Sequence, residues 1–144
     1  ANVVLQGVEV ATCGQCGNFQ VRIPRVTKLH RAIARALMNS PARLGGAQLR
    51  FLRTYLGLSG AELGRYLHTD KTKISKWERG GRIGPSTDRL IRLLAAALDE
   101  ELRPGVSAVA AHLPHIADDP DKDWELHVDV ETLQASFLAV RVAA

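Results

Sequence analysis

Cysteine is scarce in this chain and long apolar runs are absent. Two cysteines in 144 residues, Cys13 and Cys16, are too few for a disulfide framework. No stretch reaches the roughly 18 apolar residues that would cross a bilayer. No charged-then-apolar leader opens the chain either, so a cytoplasmic setting is expected. An initiating methionine is also missing: the chain starts at Ala1, which reads as a processed or truncated product. The length suits one compact domain, or a small domain with appendages, and excludes a large enzyme.

What is present is a steep polarity of charge. Residues 1–42 carry five basic side chains against one acid, a balance of +4. Residues 43–92 carry eleven against four, or +7, and residues 93–144 three against ten, or −7. The net +4 therefore conceals a basic centre beside an acidic tail. A basic centre of this kind points to a polyanionic partner, with nucleic acid first.

Periodicity gives a coarse layout. Val3 to Ala11 is rich in β-branched residues, is interrupted by Gly7, and reads as one or two strands. A tight Cys13-Gly14-Gln15-Cys16-Gly17 turn follows, then a strand over Phe19–Ile23 that ends at Pro24. Val26, Leu29, Ile33 and Leu37 form one helical face, which Ser40-Pro41 terminates. A second helix carries Leu49, Leu52 and Leu56 and stops at Gly57. Pro85 opens a longer helix expected to bury Leu90, Ile91, Leu94, Ala97 and Leu98. Val106–Ile116 suits one more helix ending near Pro114, and 117–123 an acidic loop. Trp124–Val130 alternates as a half-buried strand. Phe137–Val142 is a candidate partner for it, with a helix over Glu131–Leu138 as the alternative.

Between these helices lies the strongest signal. Ser59-Gly60-Ala61-Glu62 is a capping box opening a short helix to Leu67. Asp70 is an N-cap for a second, Lys71–Arg79, whose inward residues are Ile74 and Trp77. Two short helices joined by His68-Thr69-Asp70 satisfy the helix-turn-helix arrangement, in which the first braces and the second enters the major groove. Gly64 falls where the two must approach closely. Trp77 and Glu78 are expected to be structural, the first in the core and the second bonding locally.

The segments Leu58–Gly64 and Lys73–Gly80, ending Ile-Ser-Lys-Trp-Glu-Arg-Gly, resemble the Cro/CI or Xre helix-turn-helix family. Two positions depart from its pattern: His68 replaces the usual turn glycine, and Gly60 replaces a glutamine near the start of the bracing helix. Position along the second helix nominates Lys71, Thr72, Lys73 and Lys76 as base readers, with Thr72 and Lys76 foremost. Arg50, Arg53, Ser75, Arg79 and Arg82 are the expected phosphate contacts.

Cys13 and Cys16, on a glycine-rich turn between strands, have the form of a zinc knuckle. A structural zinc needs about four ligands, and two cysteines leave such a site incomplete. His30 is the nearest further donor, and Pro114 separates His112 from His115.

Strand, Cys-Gly-Gln-Cys knuckle, basic helix and Xre-like motif in succession resemble the MqsA/YgiT antitoxin family across roughly residues 3–98. The resemblance implies an N-terminal domain with two Cys-x-x-Cys pairs that binds zinc and a toxin. It also implies a C-terminal domain that dimerises and binds operator DNA. Cys13 and Cys16 then correspond to the second pair, the other ligands being expected upstream of Ala1, so that this chain alone would lack zinc.

The fold expected is mainly α. A partial zinc-ribbon-like segment and linking helix (1–40) precede a five-helix-type Xre domain (41–102), and an acidic helix-plus-hairpin extension (103–144) follows. The function expected is a dimeric, non-enzymatic transcriptional repressor, the antitoxin of a toxin–antitoxin pair. The alternative is a stand-alone Xre-type regulator without a toxin, responding to metal or a small ligand. A third reading, a thiol redox protein using Cys13 and Cys16, lacks the βαβ setting and the helix start at the first cysteine that such chemistry uses.

Overall fold

A computed structural model describes residues 2–120 and 124–139. Strand β1 (Asn2–Gln6) is followed by β2 (Glu9–Thr12) and β3 (Phe19–Arg22), then by helix α1 (Val26–Met38). Strand β4 (Ala42–Arg43) precedes helices α2 (Gly46–Tyr55), α3 (Gly60–Tyr66), α4 (Lys71–Glu78) and α5 (Pro85–Leu98). A 3-10 turn leads into α6 (Val106–His112), and strands β5 (Ala117–Pro120), β6 (Trp124–Asp129) and β7 (Ala135–Ala139) complete the order. No helix among the described residues is long and apolar enough to cross a membrane.

The two ends of the chain meet in one sheet. β6 lies between β1, which it pairs in parallel, and β7, which it pairs antiparallel. The period-two pattern read over Trp124–Val130 is observed: Leu126, Val128 and Val130 are fully buried. They join Leu29, Ile33 and Leu37 of α1 in the same core as Leu49, Leu52, Leu63, Ile74 and Ile91. β7 is the strand partner anticipated from Phe137 onward; the 140–142 portion lies outside the described residues. The alternative helix over Glu131–Leu138 is not formed.

Sequence and structure differ at three places in the fold. The acidic stretch after Ile116 begins as a strand, because the Ala117–Pro120 backbone pairs in parallel with β4. Within 41–102 there are four α-helices, and α1 and α6 from outside that range pack against α5. The buried face of α5 is also rotated from the one expected: Leu90 and Leu98 are exposed, while Asp88, Ile91, Arg92, Ala95 and Ala96 face inward.

The reason for that rotation is an ionic centre inside the core. Arg92 and Asp88 are both 0% exposed, and Arg92 Nε lies 3.0 Å from Asp88 Oδ2. The Arg92 guanidinium also donates to the carbonyls of Met38 (3.1 Å), Ser40 (2.8 Å) and Ala42 (2.5 Å), and Asp88 Oδ1 accepts from Leu44 N–H (2.8 Å). These carbonyls and this N–H sit where α1 ends and the chain turns into α2. The pair thus satisfies backbone groups that the turn out of α1 leaves in the interior. A hydropathy reading places two charges on the surface; hydrogen-bond accounting places them inside.

Candidate nucleic-acid interface

The geometry of α3 and α4 follows from how each begins and ends. Ser59 caps α3 reciprocally with Glu62: Glu62 N–H donates to Ser59 Oγ (3.2 Å) and Ser59 N–H to Glu62 Oε2 (2.7 Å). Asp70 caps α4 by accepting from Lys73 N–H at 2.8 Å. Those bonds to backbone N–H groups hold both carboxyls below their ordinary range, Lys73 N–H dominating for Asp70 and Ser59 N–H for Glu62.

Each of the three helices around the turn ends in a Schellman arrangement, with one residue in the left-handed region and a bond reaching back five residues. After α2 the left-handed residue is Gly57 (φ 70°), with Leu58 N–H donating to Arg53 O. After α4 it is Gly80 (φ 106°), with Gly81 N–H donating to Lys76 O. After α3 it is His68 (φ 50°), with Thr69 N–H donating to Gly64 O at 2.8 Å. The turn therefore keeps the conformation a glycine favours and carries a β-carbon there at some cost in strain.

Gly64 serves the same corner. A Cβ at this position would stand 2.5 Å from the Thr69 carbonyl oxygen, closer than non-bonded atoms tolerate. The close approach anticipated between the helices is thus made between α3 and the turn leading into α4.

Ile74 and Trp77 are buried, and Lys71, Thr72, Lys73, Ser75, Lys76 and Arg79 are exposed along α4. Thr72, Lys73 and Lys76 line a cleft of about 490 Å³ that Arg82 and the Gly81 backbone close from the far side. Lys73 reaches one turn forward along the helix, its Nζ 5.5 Å from the centre of the Trp77 ring, a cation–π contact. Arg79 turns its Nε onto Ser75 O at 3.2 Å, and Arg50 is exposed on α2.

Arg53 is placed otherwise than a phosphate contact requires. Its Nε and Nη2 donate to Glu78 Oε1 (2.5 Å) and Oε2 (3.2 Å), and its Nη1 to Leu58 O (2.8 Å). Its side chain is only 18% exposed. The hydrogen bond to the Glu78 carboxylate raises the Arg53 pKa. Glu78 therefore bonds across to α2, not locally. Neither residue carries a signal of this role in a sequence read one helix at a time.

Residues 46–104 match the family model of a helix-turn-helix domain. This part of the chain is a helix-turn-helix domain. No curated protein and no solved structure gives a match to the chain. The matched range takes in α2 to α5, so the helix-turn-helix domain includes the Arg53–Glu78 clamp and the Asp88–Arg92 centre.

The cysteine pair lies apart from this helix-turn-helix domain, at the tip of the β2–β3 hairpin. Gly17 N–H donates to Cys13 O and Cys13 N–H to Asn18 O, which closes the turn. The Gln15 and Cys16 N–H groups face the Cys13 sulfur and lower its pKa, as a thiolate ligand in a knuckle requires. Both cysteines are exposed. Among the described residues no group of three or more metal-binding side chains is assembled. His30 packs edge-on against Phe51, and His112 Nε2 lies 2.9 Å from Ser40 O. Two thiols are fewer donors than the four a structural zinc site takes.

Proposed function

We propose that the protein is a sequence-specific transcriptional repressor that reads operator DNA with α4 as a homodimer and performs no catalysis. The observation carrying this reading is the α4 surface: six polar or basic side chains point outward from a helix whose two apolar residues are buried. Thr72 and Lys76 are the base readers, with Lys71 and Lys73 shared between base edges and phosphates. Arg50, Arg79, Arg82 and the Ser75 hydroxyl orient the helix on the backbone. Two copies would meet half-sites about 34 Å apart on a palindrome.

The finer reading is an antitoxin. Its support is the β2–β3 hairpin, which no other described element covers: Phe19 is 73% exposed, with Val10, Val21 and Ile23 also exposed. An uncovered apolar hairpin of this kind marks a protein-binding surface, and in the antitoxin reading a small toxin occupies it. Cys13 and Cys16 would hold a zinc ion that stiffens the hairpin, with two further ligands from outside the described residues. The stand-alone regulator shares the DNA chemistry and differs in having no such partner.

Selection of bound duplexes from random DNA tests the reading as a whole. A palindromic consensus with half-sites one helical turn apart is the expected outcome; recovery of no sequence preference would overturn it.

A further inference from the structure

A second concave site lies on the other side of α1 and shares no residue with the α4 cleft. It is a cavity of about 520 Å³ between α1 and the β6–β7 hairpin, within the size range of small-molecule sites. One wall is cationic: Lys28, Arg31 and Arg35 recur at spacings of three and four and so share one face of α1. The facing wall is apolar, with Leu133 at the hairpin turn and Phe137 on β7.

Among the described lining residues Glu101 is the one acid, and its carboxylate stands 3.7 Å from Arg31 Nη1 with a side chain 65% exposed. That is a long, solvated bridge of little energetic weight. Arg31 is partly engaged on its other side, where it hydrogen-bonds Tyr55 beside Asp99, which raises its pKa, while its Nε is buried with no hydrogen-bond partner among the described residues. A buried donor of this kind costs free energy that a bound oxyanion would recover. Cations opposite an aromatic ring suit a ligand with an anionic head and an apolar body. A DNA backbone supplies the head without a body to fill the Phe137 side.

We propose that this cavity binds a small amphiphilic anion, its acidic head on Lys28, Arg31 and Arg35 and its apolar body on Leu133 and Phe137.

The test uses 8-anilinonaphthalene-1-sulfonate, which fluoresces on entering apolar sites, titrated into the 144-residue chain without DNA. The neutral analogue N-phenyl-1-naphthylamine is titrated in parallel. The double variant Lys28→Gln/Arg35→Gln changes two exposed side chains, with folding checked by circular dichroism. Val10→Ser/Phe19→Ser removes the two most exposed large apolar side chains among the described residues, both on the β2–β3 hairpin. Saturable sulfonate binding is expected, weakened at least tenfold in the cation variant and unchanged in the hairpin variant, with the neutral analogue at least tenfold weaker. Wild-type affinity in the cation variant, loss of binding in the hairpin variant, equal binding of the neutral analogue, or no saturable binding would each overturn the proposal. None of these outcomes depends on whether the chain binds DNA.

Discussion

Arg53 of α2 and Glu78 at the end of α4 hold each other through two hydrogen bonds, at 2.5 and 3.2 Å, while Arg53 also ties down the Leu58 carbonyl that follows α2. The pair fastens α4 to the helix behind it. Arg53→Gln should therefore lower stability by about 1–3 kcal/mol, the scale of charge-assisted hydrogen bonds that lose one partner. Urea denaturation checks this. The contrast is with Arg82→Ala, which should leave the unfolding midpoint unchanged and reduce the salt slope of DNA binding by about one. If Arg53→Gln behaves like Arg82→Ala, the clamp assignment fails.

The Asp88–Arg92 centre predicts a larger effect. Arg92→Met strands a buried carboxylate and removes a donor from three carbonyls, and should cost about 3–5 kcal/mol in chemical denaturation. Asp88→Leu/Arg92→Met removes both charges and should recover part of that loss. A single variant as stable as wild type would contradict the burial of the pair.

His68 and Gly64 give predictions of opposite sign. His68→Gly should raise stability by up to about 1 kcal/mol, because the left-handed turn no longer carries a β-carbon. Gly64→Ala should lower it by about 1–3 kcal/mol, the scale of overpacking, since the new methyl meets the Thr69 carbonyl. Thermal melts of the two variants decide the matter. Shifts in the same direction would mean that the corner is built differently.

Acid sensitivity follows from the capping carboxylates. The folded state lowers the pKa of Asp70 through Lys73 N–H, and of Glu62 through Ser59 N–H. Their stabilisation is complete above the unfolded carboxylate value of about 4 and is lost as pH falls through the lower folded values. Asp70→Ala should melt below wild type at neutral pH, and the two melting curves should converge in acid. Parallel curves across the whole range would exclude this contribution.

The cysteine knuckle predicts weak metal retention by the 144-residue chain. Metal analysis after dialysis should find well under one zinc per chain, and Ellman's reagent should titrate both thiols. A full equivalent of tightly held zinc would show that further ligands, from this chain or a second copy, complete the site.

Much of this was legible in the sequence where a local rule governs. Ser59, Asp70, Gly57 and Gly80 act through the backbone within a few residues of themselves, and the helix ends fell where those residues put them. Leu126, Val128 and Val130 followed from period two. What escaped depends on contacts between distant segments. Nothing near Asn2–Gln6 announces a parallel partner at 125–129, and nothing in Arg53 or Glu78 alone tells a clamp from a surface charge. Asp88 and Arg92 stand four residues apart, a spacing that suits an ion pair, but a hydrophobic count assigns such a pair to solvent. The cationic face of α1 was likewise visible only as net charge until β7 supplied an opposite wall.

The central claim is that α4 reads base edges, and Lys76 tests it most directly. Fluorescence anisotropy on a duplex recovered by selection should show Lys76→Ala weaker than wild type by about 1–3 kcal/mol, with relaxed discrimination at one base pair. Wild-type affinity and unchanged base preference in Lys76→Ala would contradict the account.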